Sequence, residues 1–340
     1  MPNDRNTLDL PTAQAVDAAG NLYVADDFNC RVLQFRPPFT TDMSASLVIG
    51  QAGMDQGDSC SPTDSAGANR LLAPRSITVD SAGDLWVIDT VAARVTKYVP
   101  PFANGMAATL AIGQPNLSSS LGCNGTYYTN PSPPNPGSMS LCGPTGAAFD
   151  SSGNLWVVEY GNSRALEFLQ PLSTGMAASV ELGHPPGPDA FDSGFCGYQP
   201  PTTSVCEAQA VTLDASGDLW VSAGASNSQI SGGGGLIEFD PPFSDGMTGD
   251  VVISPQMRNG HEVTAQNAVP SGLFVDATGN LVAVDAGASR VLFFPPPLGP
   301  GMTANVVIGQ PNMTTPGPAD CPAQPQSANT LCVPWGAVEF

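Results

Sequence analysis

AVDAAGNLYVADDFNCRVLQF, residues 15–35, contains two turns and parts of three extended segments. Ala15-Val16 ends one apolar segment, and Gly20-Asn21 is a strong hairpin signal. Leu22–Asp26 reads as a second strand, rich in the residue types that favour a pleated surface. A short polar turn then leads to Arg31–Phe35, a third. The pattern returns as TVDSAGDLWVIDTVAARVTKY (78–98), AFDSSGNLWVVEYGNSRALEF (148–168), TLDASGDLWVSAGAS…LIEF (212–239) and FVDATGNLVAVDAGASRVLFF (274–294). The aspartates that anchor it are Asp17, Asp80, Asp150, Asp214 and Asp276, at intervals of 63, 70, 64 and 62 residues. Each copy runs on into a Pro-Pro-Phe-like turn, a Gly-Met pair (Asp-Met in the first) and a short apolar strand that usually ends in Ile-Gly-Gln.

Each unit therefore predicts four antiparallel strands, a to d. Strands b and c are apolar on both faces and must be covered on both, as when blades stack radially. The expected fold is an all-β propeller of four-stranded blades filling residues 1–340 as one domain. The repeats are approximately 10–73, 74–143, 144–207, 208–269 and 270–333. Residues 334–340 enter the same phase again, which leaves open a five-bladed ring or part of a six-bladed one. Composition agrees: 37 Gly and 34 Pro punctuate short strands, and charged residues make up only 12%.

The run G-N-L-W-V-x-D-x-x-N-x-R-V-L-x-F resembles the NHL repeat. It begins here at Gly20 and, with variations, at Gly83, Gly153 and Gly279. The resemblance implies a propeller and favours six blades in a whole ring. It does not select an activity, since similar propellers include lactonases, lyases, extracellular sensors and RNA-binding domains.

Ten Lys and Arg against 30 Asp and Glu give a net charge of −20, which disfavours nucleic acid and anionic lipid as partners. No apolar run is long enough to span a bilayer, and these residues include no basic-then-apolar leader. Eight cysteines are placed in a pattern. Cys123 and Cys142, Cys196 and Cys206, and Cys321 and Cys332 each bracket one Pro/Gly/Ser-rich loop, without metal-knuckle spacing. Disulfides, and an extracytoplasmic setting (secreted, periplasmic or cell surface), are the expectation. Cys30 and Cys60 would form the fourth bridge. Antiparallel connectivity puts the short a–b and c–d turns on one side of the disc, a constructional face. The b–c turns and the long d–a loops (51–73, 114–143, 184–207, 255–269 and 310–333) lie on the other, where function is expected.

The clearest charged pattern is an acid closing strand b and an arginine five residues on: Asp26/Arg31, Asp89/Arg94, Glu159/Arg164 and Asp285/Arg290. The acids could form a cation-binding ring at the channel mouth. Alternatively, each pair is a partly exposed clamp on its own b–c turn. The fourth repeat carries Ala223 and Gly235 at these positions. Acid and arginine vanish together, as expected if they pair with each other. Among the two histidines, His184 replaces the Gln of Ile-Gly-Gln, and His261 beside Glu262 is the best general-base candidate. Two histidines do not suffice for a three-histidine zinc site of the kind used by NHL-like lyases. Asp17 and its equivalents are expected to serve their turns, and Trp86, Trp156 and Trp220 the packing between blades. The leading expectation is a non-catalytic module with no cofactor, binding a protein, peptide or glycan on the disulfide-stapled loop face. The alternative is a lactonase- or lyase-type enzyme with a divalent cation at the channel mouth.

Overall fold

In a computed structural model the chain forms a five-bladed β-propeller, each blade a four-stranded antiparallel sheet in sequential order. The described residues are 6–54, 65–120, 137–184, 205–223, 235–253, 270–286, 289–300, 302–311, 330–332 and 334. Blade one holds β1 (Pro11–Val16), β2 (Leu22–Asp26), β3 (Arg31–Phe35) and β4 (Leu47–Ile49). Blade two holds β5 (Pro74–Val79), β6 (Leu85–Asp89), β7 (Arg94–Tyr98) and β8 (Leu110–Ile112). Blade three holds β9 (Pro144–Phe149), β10 (Leu155–Glu159), β11 (Arg164–Phe168) and β12 (Val180–Leu182). Blade four holds β13 (Ala210–Leu213), β14 (Leu219–Ala223), β15 (Gly235–Phe239) and β16 (Asp250–Ile253). Blade five holds β17 (Pro270–Val275), β18 (Leu281–Asp285), β19 (Arg290–Phe294) and β20 (Val306–Ile308). Among the described residues no helix is long and apolar enough to cross a membrane.

Strand b alternates, and each of its faces meets a different blade. Trp86 and Ile88 pack with Leu155 and Val157 of the next blade. Trp156 and Val158 meet Leu219 and Val221, and Trp220 meets Leu281 and Ala283. Tyr23 plays the same part against Leu85 and Val87. The core is thus a series of inter-blade layers, with Trp86, Trp156 and Trp220 at most 1% exposed. On blade five the outer strand is uncovered: Val306 and Ile308 are 46% and 50% exposed. The phase nevertheless continues. Ser271 Oγ donates to the Pro334 carbonyl at 3.1 Å, as Thr145 Oγ1 donates to the Ala208 carbonyl at the start of the following blade.

The Ile-Gly-Gln ending also has a structural cause. Gly50 and Gly113 sit at φ +91° and +86°, and a Cβ there would lie 2.6 Å from Leu71 Cδ1 and 2.4 Å from Leu141 Cγ. The glycine makes room for a leucine of the returning d–a loop, and its left-handed backbone suits no side chain.

Candidate functional site

The strand-b acids are tied to their own arginines. Arg31 Nε donates to Asp26 Oδ2 at 2.7 Å, Arg94 Nε to Asp89 Oδ2 at 3.0 Å, Arg164 Nε to Glu159 Oε2 at 2.7 Å and Arg290 Nε to Asp285 Oδ2 at 3.0 Å. The first three pairs have fully buried side chains, so a partly exposed turn clamp does not describe them.

The first three pairs also reach much further than their own turns. Arg94 donates to the Leu117 carbonyl, which opens the outgoing loop, and to the Gly67 and Arg70 carbonyls, which close the incoming one. Asp89 Oδ1 accepts the backbone N–H of Leu72 and Ala73, both at 2.9 Å. Arg31 likewise spans the Met54 and Thr7 carbonyls, and Arg164 the Gly137 and Ser140 carbonyls. Glu159 Oε1 accepts from Cys142 N. The pairs are hubs that gather the ends of the d–a loops. The residue before each arginine (Cys30, Ala93, Ser163 and Ser289) has φ of 51°, 51°, 55° and 53°. That left-handed backbone costs about 1–2 kcal/mol per residue, and the hub holds it in place.

The Gln of Ile-Gly-Gln adds to this bracing: Gln114 Nε2 donates to the Ala93 carbonyl at 3.0 Å. His184 takes the same role, with Nε2 2.9 Å from the Asn162 carbonyl and Nδ1 against Glu181. Burial pushes the Glu181 carboxyl up, and His184 opposes that push.

A second acid lies beside the hubs. Asp27, in the 3₁₀ turn Asp27–Asn29, is 5% exposed, and burial pushes its carboxyl up to about 6 from 3.8. Arg75, 3.7 Å away, pulls it down, while Asp89 and Asp26 push it further up. The folded state thus holds this proton more tightly than the unfolded chain, and stability falls as pH rises from about 4 to about 6. Asp27→Asn should remove that fall. It should be about 1–3 kcal/mol more stable than the parent at pH 7 and no more stable below pH 4. Urea midpoints across this range check it; a pH-independent difference would refute the assignment.

The inner strands line a central cavity of about 870 Å³. Its wall carries neutral hydroxyl and amide side chains: Gln14, Thr78, Thr145, Gln209, Thr212 and Ser271. Charge enters with Arg75 at one end and with Asp80, Lys97 and Asp150 at the other. Asp26, Asp89, Glu159 and Asp285 do not line it, so these four acids do not form a ring around the channel.

Asp17 and its equivalents close the a–b turns: Asp80 Oδ1 accepts from the N–H of Ala82 and Asp84, both at 3.0 Å. The second oxygen reaches the aromatic of strand b, with Trp86 Nε1 at 2.9 Å and Trp220 Nε1 at 3.1 Å from their aspartates. In blade four this turn does more than the sequence pattern suggests. Asp214, Asp218 and Glu238 each bring a carboxylate oxygen within 4.8 Å of the other two. That cluster lies on the side expected to be constructional. The signal available was Glu238, the strand-c residue facing Trp220, in the only repeat with both Asp218 and a third acid there.

His261, Glu262, Cys60, Cys123, Cys196 and Cys321 lie outside the described residues, as does the glycine-rich insertion 224–234. Cys30, Cys142, Cys206 and Cys332 are described. Cys30 Sγ is 2.8 Å from the carbonyl oxygen of Leu72, which stands where later repeats carry Cys142, Cys206 and Cys332.

No protein-family model and no curated protein matches the chain. Many solved structures do. Virginiamycin B lyase from Staphylococcus aureus aligns with 91% of this chain and 74% of its own, at 14% identity and TM-score 0.48. A gluconolactonase from Xanthomonas campestris aligns with 88% and 79%, at 14% identity and TM-score 0.47. A PQQ-bound aldose sugar dehydrogenase from Streptomyces coelicolor aligns with 89% and 83%, at 14% identity and TM-score 0.45. The likeness is one of fold. None of these similarities singles out the NHL repeat.

Proposed function

We propose that this chain is a non-catalytic recognition propeller of NHL-repeat type, acting outside the cytoplasm and binding a protein, peptide or glycan on the d–a loop face. The observation that carries this reading is the hub geometry. Buried acid–arginine pairs are spent on gathering loop ends, so the most rigid polar chemistry of the protein serves loop display. Disulfides Cys30–Cys60, Cys123–Cys142, Cys196–Cys206 and Cys321–Cys332 would staple the same loops. The location of Cys30 beside Leu72 supports the first of these.

The test is a binding screen of the folded protein against glycan and peptide arrays, run beside a lactone-hydrolysis assay with and without chelator. Saturable binding is expected. It should fall at least about tenfold, or ~1.4 kcal/mol, when the loop between Asn116 and Gly137 is replaced by a Gly/Ser linker or when the protein is reduced. Lactone turnover abolished by chelation, with no loop-dependent binding, would overturn the reading.

A further inference from the structure

The five copies of the a–b turn differ in what meets the aspartate's second oxygen. In blades one, three and five an asparagine supplies it: Asn21, Asn154 and Asn280 donate Nδ2 to Asp17, Asp150 and Asp276 at 2.7, 2.8 and 2.7 Å. Blades two and four carry Asp84 and Asp218 at that position, and an ionised carboxylate has no proton to donate. There the strand-b indole meets the second oxygen, Trp86 Nε1 on Asp80 and Trp220 Nε1 on Asp214, which leaves the added carboxylate of Asp84 or Asp218 beside it; blade two balances the two carboxylates with a cation. Lys97, facing Trp86 across the strand pair, places its ammonium 2.6 Å from Asp84 Oδ2 and 3.9 Å from Asp80 Oδ2. In blade four the residue at the register position of Lys97 is Glu238, facing Trp220.

The ammonium is thus replaced by a third carboxylate. Glu238 is only 9% exposed, and no described donor bonds its side chain. Its Oε2 lies against the next blade, 3.9 Å from where a Cβ on Gly299 would stand.

We propose that Asp214, Asp218 and Glu238 bind a divalent cation of the calcium class, which takes the place that the Lys97 ammonium holds in blade two. The donor set is all carboxylate oxygen, which suits a hard cation and not zinc or copper. Magnesium demands near-ideal octahedral geometry and sheds water reluctantly, whereas calcium accepts irregular carboxylate sets such as this one, whose oxygens lie within 4.8 Å of one another. Asp214 and Asp218 are half-buried, so water can complete the shell.

The cation also has a structural task. Blade four has Ala223 and Gly235 where the other blades have an acid–arginine hub. A bound ion would join the a–b turn to strand c at the opposite end of that blade. This inference rests on neither the loop-face reading nor its ligand.

The test is calcium titration of the chelator-treated protein by calorimetry, with thermal melts alongside, at physiological salt so that diffuse binding to a −20 chain is screened. One dominant calcium site and a calcium-dependent rise in Tm are expected, with magnesium giving a weaker response. Glu238→Gln should weaken calcium binding at least about tenfold, equivalent to ~1.4 kcal/mol. Glu238→Lys, which copies blade two, should fold and melt at a temperature that calcium no longer shifts. Asp42→Asn, at an exposed acid elsewhere, should bind as the parent does. No calcium-dependent Tm shift in the parent, equal loss in Asp42→Asn and Glu238→Gln, or a full calcium response in Glu238→Lys would each overturn the proposal.

Discussion

Arg94→Ala is expected to destabilise the propeller by about 3–5 kcal/mol, because it strands a buried carboxylate that no longer has its cation. Asp89 is 0% exposed and its Oδ2 faces Arg94. Taking away the guanidinium also releases the Leu117, Gly67 and Arg70 carbonyls. These carbonyls are only part-buried, so water can meet them and most of the loss stays with the stranded carboxylate. Arg94→Lys should recover only part of the loss, since an ammonium cannot span three carbonyls and a carboxylate with a planar fork. The double variant Asp89→Leu, Arg94→Met removes the stranded charge yet still orphans Leu72 N, Ala73 N and the loop carbonyls. It should therefore fall between the parent and Arg94→Ala. Chemical unfolding of the four proteins at one pH gives the ranking. An Arg94→Ala loss below about 1 kcal/mol, the range of an exposed pair, would mean that the hub is not sealed from water.

The sequence carries the blade but not the depth at which its charges lie. Short strands apolar on both faces, the Gly-Asn turn and the recurrence of Asp17, Asp80, Asp150, Asp214 and Asp276 are local signals, and all of them reappear as local structure. The spacing of Asp89 and Arg94 also suggests that they pair. Their burial comes from loop segments at residues 67–73 and 117, which lie outside the strands and return to the hub from far along the chain. Pattern reasoning reads strands, and it has no purchase on a loop whose carbonyls fold back over a guanidinium. The acids of blade four show a related limit. Asp214 and Asp218 look like every other turn, and Glu238 looks like an ordinary solvent-facing strand residue. Only the register that sets Glu238 opposite Trp220, in the place of Lys97 opposite Trp86, reveals that one site holds a cation and the other three carboxylates.

Trp86 and Trp156 occupy equivalent places in successive blades, yet their replacement by phenylalanine should have unequal effects. Both are buried, at 1% and 0% exposure, and each packs edge-on against a ring, Phe149 at 5.3 Å and Phe243 at 4.8 Å. Truncation to alanine should cost about 3–5 kcal/mol at either position, from lost burial and a cavity between blades. The indole nitrogens differ. Trp86 Nε1 donates to Asp80 Oδ2 at 2.9 Å, and Lys97 sits 5.1 Å over the ring. Trp156 Nε1 is buried without an acceptor among the described residues, and Asp150 Oδ2 is met by Asn154 instead. Phenylalanine at Trp86 loses a hydrogen bond to a charged acceptor, which is worth about 1.5–3 kcal/mol, and deprives Asp80 of that donor. Phenylalanine at Trp156 loses ring volume but also removes an unsatisfied donor, which offsets part of the loss. Trp86→Phe should therefore be the more damaging by about 1–2 kcal/mol. Thermal or urea unfolding of the two single variants decides it. Equal losses would mean that Trp156 Nε1 finds a partner, such as a buried water.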